Sequence, residues 1–220
     1  MSKNEKTKSF LNTVLEFLKN TAVLCLITCI AGAVLGGVYT VTAEPRLKAE
    51  IEAKNKAYKK VQPEAVEFSN VSFEEADMIE HLKSKGISEK SVIVEEAAFA
   101  KNNAGEVVGY VVTVISKKGF GGDIKFSVGF NSEKAISGIS ILSIKETAGL
   151  GMKVKENSFL NQFKGKTSSR FFVVTTGGHS DDEIDAVSGA TISSKAITEG
   201  VNGAVEAVNY IIRKGESADE

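Results

Sequence analysis

Asp185-Ala186-Val187-Ser188-Gly189-Ala190-Thr191 is a short polar turn that runs straight into a long helical pattern. Beyond it Ile197, Val201, Ala204, Val205, Val208, Ile211 and Ile212 recur at spacings of three and four and make one apolar face. Lys195, Glu199, Glu206 and Asn209 take the other side. The turn therefore ends in a threonine hydroxyl at a helix N-terminus. Unpaired backbone N–H groups and the positive end of the helix dipole converge there, so a phosphate can be held without a basic side chain. A hydroxyl at that point can bind a phosphate or be esterified to one. The alternative is ordinary N-capping by Ser188 or Thr191, residue types favoured as caps on any helix. Gly200 and Gly203 lie inside the helix and weaken it locally, which implies close approach of another backbone or of a flat ligand.

The other bounds are mostly exclusions. A chain of 220 residues with a formal net charge of −1 carries no electrostatic footprint for nucleic acid. His81 and His179 stand far apart with no second ligand nearby, so no metal site is expected. The two cysteines, Cys25 and Cys29, sit one helical turn apart in an apolar stretch, where packing is the expected role. The remainder has no thiol for a disulfide framework, a cysteine-ligated cluster or a nucleophile. Gly178-His179-Ser180 beside Asp181, Asp182 and Glu183 lacks a GxSxG elbow and reads as an acidic loop, not as a hydrolase site.

No charged residue occurs between Lys19 and Glu44, and Thr21 to Val41 reads TAVLCLITCIAGAVLGGVYTV. A helix needs about 20 apolar residues to cross a bilayer, and this run is too long for the core of a signal peptide. An uncleaved single-pass anchor is expected. Gly32 and Gly36, with Ala33 and Gly37 at the same spacing, would let a partner helix approach closely. The lysines and arginines on the two sides do not favour the N-terminal side as cytoplasmic, so charge leaves the orientation open.

Residues 44–62 read as a polar helix with Pro45 near its start and Pro63 just past its end. Phe73 to Lys85 is a second, short helix closed by Gly86. Val92–Ala100 and Val107–Ser116 flank an Asn/Gly turn and predict a hairpin. Ile124–Phe130 and Ala135–Ile144 repeat the pattern, and Phe171–Thr175 is one more short strand. Antiparallel strands with helices at both ends make an α+β class. The expected order is an N-terminal tail at 1–19, a transmembrane helix at 20–43, a helical connector at 44–90, a soluble domain at 91–213 and a polar tail at 214–220.

Two more segments are rich in glycine: Gly119-Phe120-Gly121-Gly122-Asp123, and Glu146-Thr147-Ala148-Gly149-Leu150-Gly151-Met152. Each follows a predicted strand, where glycine allows positive φ and brings backbone N–H groups near a ligand. Neither matches a Walker loop or a dinucleotide fingerprint. Taken in order, a single N-terminal span, GFGGDI, ETAGLG, NSFLNQF (Asn157 to Phe163) and DAVSGAT opening a C-terminal helix resemble the FMN-binding G subunit of the Rnf ion-translocating electron transport complex. They are also similar to its relative, the C subunit of the sodium-pumping NADH:quinone oxidoreductase. The resemblance covers nearly the whole chain, with SGAT, Ser188-Gly189-Ala190-Thr191, as its strongest element.

That resemblance implies a soluble FMN-binding domain whose cofactor is joined through its phosphate to Thr191, by a phosphoester that a separate FMN transferase makes. It places Glu146, Thr147, Gly149, Leu150 and Gly151 near the flavin, beside Ser188, Gly189 and Ala190. Family members often carry proline where this chain has Ala148. The implied role is electron transfer inside a membrane complex that couples ferredoxin:NAD+ electron transfer to Na+ or H+ movement, with partner subunits supplying the ion path. No catalytic residue beyond the flavin is expected. The implied location is the cytoplasmic (inner) membrane, with the flavin domain on the extracytoplasmic side. Two readings compete: the quinone-reducing relative, and a membrane-anchored scaffold in which Ser188 and Thr191 only cap a helix.

Overall fold

A computed structural model of the chain describes residues 3–177 and 180–216, with side chains described from residue 15 to residue 214 within that range. Gly178 and His179, on which part of the acidic-loop reading rests, lie outside the described residues. The chain divides into two compact units, Met1–Glu52 and Ala53–Glu220.

The first helix, α1, is Lys3–Val61, and its residues up to 52 form the first unit. It is long and apolar enough to cross a membrane. Leu24, Ile27, Ile30, Val34, Leu35 and Val38 are exposed, as lipid-facing side chains would be. Among the described residues its threonine hydroxyls bond to the helix's own carbonyls. Thr28 donates to the carbonyl of Cys25 at 2.9 Å, Thr40 to Gly37 at 2.9 Å, and Thr42 to Val38 at 2.7 Å. In hydrocarbon no water could replace those acceptors. Cys25 and Cys29 are free and exposed on this helix. Pro45, read from sequence as the start of a new helix, lies inside α1 instead. A single proline removes one helical hydrogen bond, and helix-compatible neighbours on both sides carry the pattern past it.

In the second unit, β1 (Glu67–Val71), β2 (Val92–Lys101), β3 (Val107–Ser116), β4 (Ile124–Asn131) and β5 (Ile136–Ser143) form one antiparallel sheet in chain order. The sequence shows four of these strands; β1 falls in a stretch read as helical connector. Its five residues, EFSNV, are too few and too mixed for a period to show, and their pairing with Ala97–Lys101 supplies the order. Asparagines shape two of the turns. Asn102 Oδ1 accepts from the N–H groups of Ala104 and Glu106, and Asn131 Oδ1 from those of Glu133 and Ala135.

The last helix, α4 (Thr191–Glu216), lies on one face of the sheet. Its predicted apolar stripe is its buried face: Ile197, Val201, Ala204, Val208 and Ile211 join Val112, Val114, Phe126 and Val128 in the main core. The two helix glycines meet side chains. A Cβ on Gly200 would stand 2.6 Å from Phe126 Cζ, and one on Gly203 would stand 2.6 Å from Val92 Cγ1. The close approach expected there is to the strands' side chains, not to another backbone or a ligand. A short helix, α2 (Glu75–Ser84), flanks α4, with His81 Nε2 3.3 Å from Glu206 Oε2.

The other face carries a smaller cluster of Tyr58, Val61, Ala98 and Val111, with Phe68 packed against it. Cβ atoms on Gly109 and Gly129 would collide with Gln62 and Val61, so glycine is required where this segment meets β3 and β4. Gln62 Nε2 donates to the Phe130 carbonyl at 2.7 Å, and Ser137 Oγ donates to the Val61 carbonyl at 2.6 Å.

Between sheet and α4 the chain adds α3 (Asn157–Leu160) and a parallel pair, β6 (Phe172–Val174) with β7 (Glu183–Asp185). Phe159, Phe163 and Phe171 stack edge to face at 5.8 and 5.5 Å between ring centres. Asn202 of α4 accepts from the Phe171 N–H and donates to its carbonyl, tying the helix to this layer.

Gly200→Val should force Phe126 out of its place and cost about 1–3 kcal/mol, the usual penalty for overpacking. Urea unfolding of the full chain in detergent measures it, and an unchanged midpoint would contradict the packing described.

Candidate functional site

The site lies at one end of the sheet. Residues 117–123 connect β3 to β4, residues 144–150 leave β5, and α4 begins nearby. Together they line a cavity of about 380 Å³, within the range of small-molecule sites.

The α4 terminus carries no side-chain cap among the described residues. Thr191 is the first helical residue, which makes Ala190 the N-cap. Alanine has no capping oxygen. The Ala190 N–H donates to the Val187 carbonyl, and the Ser194 N–H donates to the Ala190 carbonyl at 2.9 Å. Among the described residues, the N–H groups of Thr191, Ile192 and Ser193 have no acceptor. The hydroxyls of Ser188 and Thr191 do not cap them, so simple N-capping does not account for the SGAT sequence. Three unpaired donors at the positive end of a 26-residue helix, beside a cavity, are an arrangement that can hold an anion.

Two side chains hold the turn in that shape. Ser194, fully buried, accepts from the Val187 N–H at 3.0 Å and donates to the Ala190 carbonyl at 2.9 Å. Gln162 accepts from the Asp185 N–H at 2.7 Å and donates to the Asp185 carbonyl at 3.2 Å. The NSFLNQF segment thus buries Phe159, Leu160 and Phe163 in the core and points Gln162 at the strand that enters the turn. Gly189 adopts φ +75°, which a side chain would strain, and Leu150 Cδ2 lies 3.2 Å from where its Cβ would be.

The opposite wall is built on Glu146. Its carboxylate accepts from the N–H of Phe120 at 2.8 Å and of Gly121 at 3.2 Å, joining the two glycine segments. A Cβ on Gly151 would stand 2.6 Å from Glu146 Oε2 and 3.0 Å from Ser193 Oγ. Glycine there leaves room for both polar groups. Gly149 takes φ +77° in the turn where Leu150 and Met152 donate to the Thr147 carbonyl.

Seven residues proposed from sequence meet in this one cavity: Glu146, Thr147, Leu150, Gly151, Gly189, Ala190 and Thr191. Ser188 and Gly149 lie outside its lining, in the adjoining turns. Three lining residues were missed: Phe120, Ile192 and Ser193. Ile192 and Ser193 follow Thr191 directly, and the first turn of an anion-binding helix was the available signal. Phe120 sits inside a motif already singled out, where the glycines drew the reading away from the aromatic ring.

Ser194→Ala should leave the Val187 N–H without its acceptor and destabilise the chain by about 1–3 kcal/mol. A melting temperature indistinguishable from that of the unaltered protein would show that the hydroxyl does not hold the turn.

The FMN-binding domain family matches residues 119–206, from the first glycine loop well into α4. The G subunit of the Na(+)-translocating ferredoxin:NAD(+) oxidoreductase complex of Acetobacterium woodii is 33% identical over 186 residues, which cover 84% of this chain and 87% of the relative. The G subunit of the proton-translocating ferredoxin:NAD(+) oxidoreductase complex of Clostridium ljungdahlii is 28% identical, over 90% of this chain and 92% of the relative. Among solved structures, the C subunit of the Na(+)-translocating NADH-quinone reductase of Parabacteroides distasonis aligns with a TM-score of 0.47 and 22% identity, over 73% of this chain and 94% of that one. With one relative at 33% identity along nearly its whole length, the chain belongs to the family of G subunits of ion-translocating ferredoxin:NAD+ oxidoreductase complexes.

Proposed function

We propose that this chain is a membrane-anchored electron-transfer subunit that carries FMN as a phosphoester on Thr191. The observation that carries the reading is the uncapped start of α4, with three donors free beside a threonine hydroxyl that is half-buried and on the wall of the cavity. The residues present fit the cofactor. The N–H groups of Thr191, Ile192 and Ser193 are placed for the charge of a phosphodiester without a lysine or arginine. Leu150 and Ile192 offer apolar surface, 48% and 54% exposed, to a ring system. Ser193 offers a polar group to the ring's edge or to the hydroxylated chain that joins it to the phosphate, and Glu146 holds the loop opposite. FMN, when bound, supplies the redox chemistry and exchanges electrons one or two at a time.

The chain's own work is to bind and position. Ser194 and Gln162 fix the turn, Gly189 turns the backbone past Leu150, and Glu146 joins the two loops opposite. The apolar run from Thr21 to Val41 holds the domain at the membrane. It contains no ionisable carboxylate, lysine, arginine or histidine of the kind that marks an ion path, so ion movement falls to other subunits. A separate FMN transferase would load Thr191, and the flavin domain would work on the extracytoplasmic side of the cytoplasmic membrane. A pure scaffold role leaves the cavity beside those donors without a purpose.

The test is expression of the full chain with an FMN transferase. The denatured band should fluoresce on a gel, and Thr191→Val should abolish that signal. Because the Thr191 hydroxyl makes no hydrogen bond among the described residues, the substitution should change stability by no more than about 0.5 kcal/mol. A dark band from the unaltered chain would overturn the reading. Fluorescence retained in the variant would move the linkage to a serine, and mass analysis of the peptide spanning 185–195 would say which.

A further inference from the structure

We propose that Phe120 is the wall against which the flavin ring packs, and that Glu146 is a positioning residue that acts through it. The inference rests on the reading of FMN at Thr191 and adds a cofactor contact in the β3–β4 connection, outside the SGAT and ETAGLG segments.

Phe120 is 70% exposed, although it lines the same cavity as Thr191. An aromatic ring on a glycine-rich hairpin tip would ordinarily be mobile, because glycine gives the backbone many alternatives. Here that freedom is removed from three directions. Glu146 takes the N–H groups of Phe120 and Gly121. Lys117 and Asp123 form an ion pair across the neck of the loop. Gly121 packs so tightly on the Lys145 carbonyl that any Cβ would collide with it.

This anchoring fixes the backbone on both sides of Phe120 while leaving the ring itself uncovered. Burial cannot be the reason for it, since the ring stays in solvent. A planar heteroaromatic ligand entering the cavity would gain one fixed aromatic face at Phe120 and apolar contact from Leu150 and Ile192. The buried carboxylate of Glu146 has both its oxygens committed to the loop, so its effect on a ligand runs through the position of the ring.

The experiment uses the full chain, loaded by a transferase and purified in detergent. Its readouts are iodide quenching of the bound flavin's fluorescence and the flavin's midpoint potential. Phe120→Leu should raise the quenching constant by roughly twofold or more, the low end of what an aromatic contact contributes. It should also move the potential upward, because water admitted to the ring stabilises its more electron-rich reduced form. Phe120→Tyr should keep both values where they are. Glu146→Gln turns an acceptor into a donor facing a backbone N–H. It should shift both readouts in the same direction as Phe120→Leu and add nothing in its presence. Glu146→Asp, which pulls the carboxylate back from the loop, serves if the glutamine variant does not fold. Fully loaded Phe120→Leu with unaltered quenching and potential would overturn the proposal, as would additive effects in the double variant. Failure of the unaltered chain to load at all would instead sink the attachment at Thr191, so the two failures are distinct.

Discussion

The seating of α4 on the sheet is the contact from which the rest follows. Gly200 and Gly203 give up helix propensity so that the helix can press onto Phe126 and Val92. That approach buries a stripe from Ile197 to Ile211 against three strands. It also fixes where the helix begins. Because β3, β4 and β5 are antiparallel neighbours, the end of the sheet beside that beginning gathers the β3–β4 connection and the exit from β5. Two glycine segments with a whole hairpin of chain between them thus meet at one helix terminus. The open start of α4 and the cavity beside it are consequences of core packing.

Much of this was legible in the sequence, for identifiable reasons. The period of α4 is long and clean, and its stripe is the buried face. The four longer strands are rich in β-branched residues and broken by Asn and Gly at the turns. Seven of the residues singled out line one cavity, and its glycines mark places where a side chain has no room or a positive φ is needed, as at Gly151 and Gly189. What escaped was short or borrowed its order from elsewhere. Strand β1 has five residues and β7 three, too few for a pattern, and each exists through its partner strand. Pro45 misled because a proline removes one hydrogen bond, and that loss does not end a helix whose neighbours all favour it.

The site shows the same division. SGAT was visible as the candidate, but its support was not. Nothing in the letter at position 194 says that this serine, and not Ser188 or Thr191, makes the hydrogen bonds that shape the turn. Nothing in NSFLNQF announces that Gln162 reaches the backbone of Asp185. Both are contacts across the fold or back along it, and one-dimensional spacing carries no record of them. Ala190 is the reverse case. A residue with no functional group decides the site, because a serine or aspartate at the cap would satisfy the donors that an anion needs.

On the proposed attachment at Thr191, the paired grip of Ser194 and Gln162 would bear on how the protein matures. A hydroxyl on a loose loop would have to be caught and straightened by whatever enzyme modifies it, and each ordered residue would draw on the binding free energy. Here the turn before Thr191 is already held in shape, and the proposed acceptor lies on the cavity wall beside free backbone donors. On that proposed attachment, a modifying enzyme would meet a finished mould, and selectivity for one hydroxyl among several neighbours would be written into the substrate.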